Sequence, residues 1–180
     1  QGNNSWGGVT SFTGANGGSW QNIAFNASGN VNLGNVAATG NFTATVGSTL
    51  NLGGNVNVGS LDLTATLGNI TQTAGTLTVA SGPTNLTAGG DITLNSVTND
   101  FNGVVNASGA NVALTDANAL TLGTVTTTGN LALNSTGALD MGTSTVGGNL
   151  TANSNGGNIT QTGALTVSGT STLADRKSVV

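Results

Sequence analysis

The chain has 180 residues, of which 36% are hydrophobic and 4% are charged, and its formal net charge is −4. This composition is too apolar for a disordered polar segment, and no apolar run reaches the roughly 18 residues that a membrane-spanning helix needs. Cysteine and histidine are absent, which excludes disulfides, thiolate metal sites and histidine-based catalysis. Nucleic acid is not expected as a partner, because phosphate binding needs a patch of cations.

Short apolar groups recur along the chain, usually directly after an Asn. Each rung carries three such groups, for example at Phe42, Leu50 and Val56, with Gly and Asn at the corners between them. Alternation of apolar and polar residues within a group is typical of a half-buried strand. The sequence therefore predicts an all-β, right-handed parallel β-helix with three short strands per rung. About seven rungs are expected, and in chain order they open near Asn22, Asn41, Ser60, Asn85, Asn111, Asn130 and Asn149.

A longer repeat becomes visible when the chain is shifted by 89 residues. GNITQTAGTLTV from Gly68 recurs as GNITQTGALTV from Gly157, and Ile23 falls on Val112. Phe12 falls on Phe101 at the same offset, which favours a packing role at a corner for both rings. Four rungs are expected to make one such repeat, so residues 1–174 are interpreted as two copies in a β-helix region that is a fragment of a larger protein.

The last six residues break this pattern. Leu173 still matches Leu86, but the sequence that follows, DRKSVV, contains the only two cations of the chain and no strand pattern. A widely used sequencing adapter, translated in this frame, would encode the same six residues. We therefore expect residues 175–180 to be a non-native tail of a metagenomic fragment, and a natural basic terminus is the alternative.

Candidate catalytic groups are few. The carboxylates before the tail are Asp62, Asp91, Asp100, Asp116 and Asp140, and none recurs at the 89-residue offset. Glycoside hydrolysis needs two carboxylates at a fixed separation. We therefore expect these residues to be solvated corner residues, the chain not to be an enzyme, and no catalytic, cofactor-binding or metal-binding residue to be present. The string Gly89-Gly90-Asp91 is too short and solitary for a calcium-binding repeat.

Two other surface features admit a binding role. Pairs of the form Thr-x-Thr could build an ice-binding face if they fell in register on consecutive rungs, but they fall at different positions within the rung and are interpreted as ordinary outward strand residues. The pairs are Thr43/Thr45, Thr64/Thr66, Thr71/Thr73 and Thr126/Thr128. Trp6 and Trp20 have no aromatic counterpart in the second copy, and a weak contact with sugars is the alternative to a packing role.

The segment from Val97, VTNDFNGVVNASGANVALTDANALTLGTVTTTGNLAL, together with GNITQTGALTVSGT, resembles the repeat arrays of filamentous-haemagglutinin-like exoproteins. The resemblance covers residues 1 to about 174. It implies a right-handed β-helix at the cell surface of a Gram-negative bacterium or secreted from it, exported through an outer-membrane transporter by the two-partner or autotransporter route. Adhesion is the implied function, with host-cell or surface glycans and proteins as partners of other parts of the parent.

Three functions follow as alternatives. The first is the non-catalytic structural shaft of a bacterial surface or secreted adhesin. The second is a non-catalytic part of a carbohydrate-active β-helix enzyme, and the third is a surface-layer or biofilm matrix protein whose solenoid self-associates through its exposed strand edges.

Overall fold

The computed structural model describes residues 8–14 and 18–175, and in these residues the chain forms 22 β-strands and no helix. All of the strand pairs are parallel, and the strands stack into a solenoid of about eight turns. The predicted β-helix with three strands per turn is confirmed. The structure has about eight turns, where about seven were expected from the sequence.

Face 1 of the coil collects one strand from each turn. Its strands are β2 (Ile23–Ala27), β4 (Asn41–Val46), β7 (Ser60–Ala65), β10 (Thr84–Ala88), β13 (Val105–Gly109), the second half of β15 (Leu120–Thr127), β18 (Thr143–Val146) and β21 (Leu165–Val167).

Face 2 follows face 1 along the chain in every turn. Its strands are the first half of β3 (Val31–Ala37), β5 (Leu50–Leu52), β8 (Ile70–Gln72), β11 (Ile92–Leu94), β14 (Val112–Asp116), β16 (Leu131–Ser135), β19 (Leu150–Ser154) and β22 (Ser171–Asp175).

Face 3 completes each turn. Strand β3 continues round a corner from face 2 onto face 3, and strand β15 continues from face 3 onto face 1. Its strands are the second half of β3, β6 (Val56–Val58), β9 (Leu77–Val79), β12 (Asp100–Phe101), the first half of β15, β17 (Leu139–Asp140) and β20 (Ile159–Thr160). An additional strand, β1 (Val9–Phe12), pairs with β3 above the first complete turn. Because of the two long strands, the hydrogen bonds join the three faces into a 12-stranded and a 10-stranded sheet.

The core is a single column of apolar side chains along the axis. On face 2, each inward residue lies on the equivalent residue of the next turn, and all members are at most 2% exposed: Val31, Leu50, Ile70, Ile92, Val112, Leu131 and Leu150. Near the first turn the rings of Phe12 and Phe25 stack with centroids 5.3 Å apart. Each turn thus buries its apolar side chains only against its neighbours, which makes the stability additive along the axis.

The 89-residue repeat does not correspond to a whole number of turns. Ile23 lies on face 1, where it pairs with Phe42, whereas the matching Val112 lies on face 2 and pairs with Ile92. The fourth face-1 strand after β2 is β13, and β14 follows it on the next face. The prediction of four rungs per repeat is therefore wrong by one face, and matching residues of the two copies lie one third of a turn apart.

The turns also differ in length. Phe42 pairs with Leu61, 19 residues on, but Leu61 pairs with Thr84, 23 residues on. The predicted opening of a rung at Asn85 is consequently out of register, since Asn85 pairs with Asp62 and not with Ser60. The extra residues lie in the corners, where they do not disturb the inward column.

Candidate functional site

The Asn residues that precede the apolar groups hold successive turns together. At the corner before face 2, the Oδ1 atom of each residue accepts the backbone N–H of its equivalent one turn later, at 2.8 to 3.0 Å. The column runs through Asn69, Asp91, Asn111, Asn130, Asn149 and Thr170. These side chains therefore bind the protein's own backbone, and the motif that marks the start of a rung in the sequence is a structural one.

Glycine precedes many of these residues because the Asn of the previous turn fills the space beside it. A Cβ on Gly148 would lie 2.6 Å from Oδ1 of Asn130 and 2.8 Å from the carbonyl carbon of Gly129. Real Cβ atoms do not approach other atoms so closely. The Gly-Asn dipeptide is thus a single unit, in which one residue donates its N–H and the other leaves room for the acceptor.

A second polar column lies on the outward side of face 1. The Nδ2 group of Asn41 donates to Asp62 Oδ2 at 2.9 Å, Asn85 Nδ2 donates to Asp62 Oδ1, and Asn106 Nδ2 donates to Asn85 Oδ1 at 2.9 Å. Asp62 therefore lies in the middle of a face rather than at a corner. Its two carboxylate oxygens are occupied by amide donors of the neighbouring turns.

Asp116 is the one carboxylate that is completely buried among the described residues, with no exposed surface. It ends β14, where its Oδ1 accepts the N–H of Asn118 at 2.9 Å and its Oδ2 accepts the N–H of Phe101 at 3.4 Å. Burial raises its pKa from 3.8 to about 6; the two backbone hydrogen bonds oppose this shift, and the nearby Asp100 carboxylate adds to it.

In the two turns that follow, the position equivalent to Asp116 is occupied by a serine that bonds to the backbone. Asp116 pairs with Ser135, Ser135 with Ser154, and Ser154 with Asp175. Ser135 donates its hydroxyl to the carbonyl of Gly137 at 2.8 Å, and Ser154 does so to Gly157. A polar side chain at this position thus satisfies the backbone where the chain turns off face 2.

A cleft of about 300 Å³ opens beside Asp116 at this corner. Its lining is mainly amides and hydroxyls, from Asn95, Val97, Thr115, Asp116, Asn134, Ser135, Thr136 and Asn155. Asn99, which is fully buried, closes the loop next to it through reciprocal amide hydrogen bonds with Gln72, both 2.8 Å long. Asp116 could exchange a proton near neutral pH, but both of its oxygens face backbone N–H groups and neither is presented to a substrate.

The remaining acidic residues differ in their surroundings. Asp91 lies at the corner before β11, as predicted for all five, whereas Asp140 ends strand β17 on face 3. Burial is the largest single effect on Asp140 and opposes its ionisation, but the N–H of Gly142 and both the hydroxyl and the N–H of Thr162 donate to the carboxylate and together lower its pKa below the ordinary value. Asp100 accepts a hydrogen bond from Asn118 Nδ2 at 3.0 Å. The expectation of solvated corner residues is wrong for Asp62 and Asp116, because the sequence does not show which positions face inward or lie within a hydrogen-bonded column.

The described residues contain no group of three or more acidic side chains that could hold a metal ion. No helix of sufficient length and apolarity to cross a membrane occurs in this part of the chain. Trp20 is 53% exposed and forms an isolated bridge with Ala38, whereas Trp6, Arg176 and Lys177 lie outside the described residues. Phe101 is buried against the core at β12, in agreement with its predicted packing role.

The outward threonines of face 1 are aligned in a way that the Thr-x-Thr pairs do not show. The pairs are out of register with one another, as predicted, since Thr45 is the second residue of its pair and lies on Thr64, the first residue of the next. Single members of the pairs nevertheless share one outward column on face 1, which contains Thr45, Thr64 and Thr126. Their partners in the sequence pairs diverge, since Thr66 lies at a corner next to β7 and Thr128 lies beyond β15. The unequal lengths of the turns conceal this register in the sequence.

Residues 39–108, 109–140 and 128–180 match a family model described as repeats of unknown function (DUF5649). The chain belongs to this family. The matched ranges cover most of the solenoid, from the corner before β4 onward, and they agree with the repeated architecture of the coil. Comparison with curated proteins and with solved structures found no significant match.

Proposed function

We propose that this solenoid is the structural, non-catalytic shaft of a bacterial surface or secreted adhesin of the filamentous-haemagglutinin-like type. One observation carries the proposal: the apolar core continues without interruption from Ile23 to Ala152. A rod whose turns are bonded to one another is suited to holding other parts of a protein at a distance.

The polar side chains support the same interpretation. The corner column from Asn69 to Thr170 and the face-1 column from Asn41 to Asn106 form hydrogen bonds between turns. These groups add stiffness along the axis and are engaged within the protein. Host-cell or surface glycans and proteins would then be bound by other parts of the parent.

Export fits this architecture. Each turn is completed by contacts with the turn before it, so a chain that emerges unfolded through an outer-membrane transporter can fold progressively as it leaves. The only Lys and Arg residues of the sequence are Arg176 and Lys177, so trypsin-like proteases have no cleavage site before them. A protease-resistant rod at the cell surface of a Gram-negative bacterium, or secreted from it, is the role that we propose.

A deletion of residues 131–149 tests this proposal. It removes one turn and joins Asn130 to Leu150, and Leu131 and Leu150 already occupy the same position in successive turns. In the full-length parent, export and adhesion are expected to persist, with the tip about 4.8 Å closer to the cell. Loss of adhesion with normal export and folding would place the binding site in this segment, and loss of a glycan-cleaving activity would favour the enzyme alternative.

A further inference from the structure

An unbroken row of hydroxyl side chains runs along the outward side of face 1. It is referred to here as the threonine ladder, and each member pairs directly with the next one across adjacent strands. Its members are Thr45, Thr64, Thr87, Ser108, Thr126, Thr145 and Thr166. The row passes the irregularity between β13 and β15 without losing register, since Ser108 still pairs with Thr126.

The hydroxyls of this ladder are not used within the protein. No side-chain hydrogen bond engages any of the seven among the described residues. In the adjacent column, two residues away on the same strands, the side chains of Asp62, Asn85 and Asn106 are hydrogen-bonded. From Thr87 onward all members are exposed. The ladder contains neither a charge nor an aromatic ring, so it offers nothing specific to ions or to stacking sugars.

The spacing of the ladder is fixed by the fold. Neighbouring strands lie about 4.8 Å apart, so the hydroxyls repeat at that distance over about 29 Å. On a single strand, residues two apart are separated by about 6.6 Å. The pairs Thr124/Thr126 and Thr143/Thr145 therefore form a two-by-two array, because Thr124 pairs with Thr143 and Thr126 with Thr145.

We propose that the threonine ladder is an ice-binding surface. Water oxygens along the surface of hexagonal ice repeat in one direction at a distance close to the spacing between strands, so a rigid row of hydroxyls can occupy lattice positions along that direction. The methyl groups between the hydroxyls order the adjacent water, and the rigid backbone pays no entropy for adopting the spacing. The two-by-two array of β15 and β18 is the centre of the surface, and Asp62, Asn85 and Asn106 interrupt its second row.

The experiment measures inhibition of ice recrystallisation by the purified 180-residue chain, together with its incorporation into a growing ice hemisphere. Three variants are compared. Thr126→Tyr and Thr145→Tyr place a bulky ring on the ladder, and Thr151→Tyr places the same ring on the adjacent face, at an exposed outward position of β19. Circular dichroism and the melting temperature confirm that each variant is folded.

The wild-type chain is expected to inhibit recrystallisation and to enter the ice. Each ladder variant should need about three- to ten-fold more protein for the same inhibition, which is the effect of one lost net hydrogen bond on affinity. Thr151→Tyr should behave as wild type. Asp62→Thr, which extends the second row beside Thr43, should be more active than wild type.

Two results would overturn the proposal. One is a folded wild-type chain with no effect on ice growth. The other is inhibition that Thr126→Tyr, Thr145→Tyr and Thr151→Tyr alter equally, because such inhibition would not depend on the ladder.

Discussion

The wild-type protein should become less stable as the pH rises from acidic to neutral, and replacing Asp116 by Ser should abolish this decrease. The substitution introduces the residue that two neighbouring turns already have at this position, Ser135 and Ser154. A serine hydroxyl there can donate to the carbonyl two residues on, as Ser135 does to Gly137. The variant thus exchanges a titrating side chain for a neutral one that suits the corner.

The sign follows from the direction of the pKa shift. Burial raises the pKa of Asp116 from 3.8 to about 6, so the folded protein holds a proton that the unfolded chain releases. The associated stability is complete below about pH 4 and is lost as the pH rises through about 6. A shift of this size corresponds to at most about 3 kcal/mol, and because the adjacent cleft brings water close to the carboxyl, we expect about half of that.

Urea unfolding followed by circular dichroism between pH 4.5 and 7.5 measures the effect. The free energy of unfolding of the wild type should fall by about 1 to 2 kcal/mol across this range, and that of Asp116→Ser should stay nearly constant. Asp91→Asn is the matched control for loss of one carboxylate, since Asn69 and Asn111 have the same role in its column. A carbon-13 titration of the Asp116 carboxyl reports the pKa directly.

A wild-type stability that is flat or rises over this range would contradict the raised pKa of Asp116. A decrease that persisted in Asp116→Ser would contradict it as well, because the titrating group would then be elsewhere. Asp100→Asn gives an independent check, since removal of this neighbouring charge should lower the pKa of Asp116.

Two further substitutions test the packing of the coil. Gly148→Ala should lower the free energy of unfolding by about 1 to 3 kcal/mol, because the added Cβ would lie 2.6 Å from Oδ1 of Asn130. Gly29→Ala is the control, since the space beside Gly29 is open, and it should change this free energy by less than about 0.5 kcal/mol. Urea unfolding measures both variants. Leu63→Ala should lower the free energy of unfolding by about 2 to 5 kcal/mol, because the Leu63 side chain is 1% exposed. Its melting temperature is compared with that of Thr151→Ala, a substitution at an exposed position. Equal melting temperatures would contradict the assignment of Leu63 to the core.

Strand positions could be predicted from the local sequence pattern, because each strand is short and its apolar and polar residues alternate. Leu50 with Leu52 and Val56 with Val58 were recognisable as inward pairs, and they form β5 and β6. The Asn at the start of a rung was also recognisable, although its use as an acceptor for the next turn becomes visible only when the turns are stacked.

The angular position of a residue could not be predicted, because it depends on the lengths of all preceding corners. Val112 matches Ile23 in sequence and yet lies on another face. The burial of Asp116 and the alignment of Thr45 with Thr64 and Thr87 depend on the same information. Sequence similarity identifies the repeat unit, but the three-dimensional register decides which side chains meet.

The central property of this molecule is that it is a rod to which turns can be added one at a time. Inserting one, two or three additional copies of residues 131–149 after Asn149 tests it by small-angle X-ray scattering. The maximum dimension should increase by about 4.8 Å per copy, with a constant cross-sectional radius. An increase in cross-section, or a length that does not follow the number of copies, would contradict the solenoid shaft.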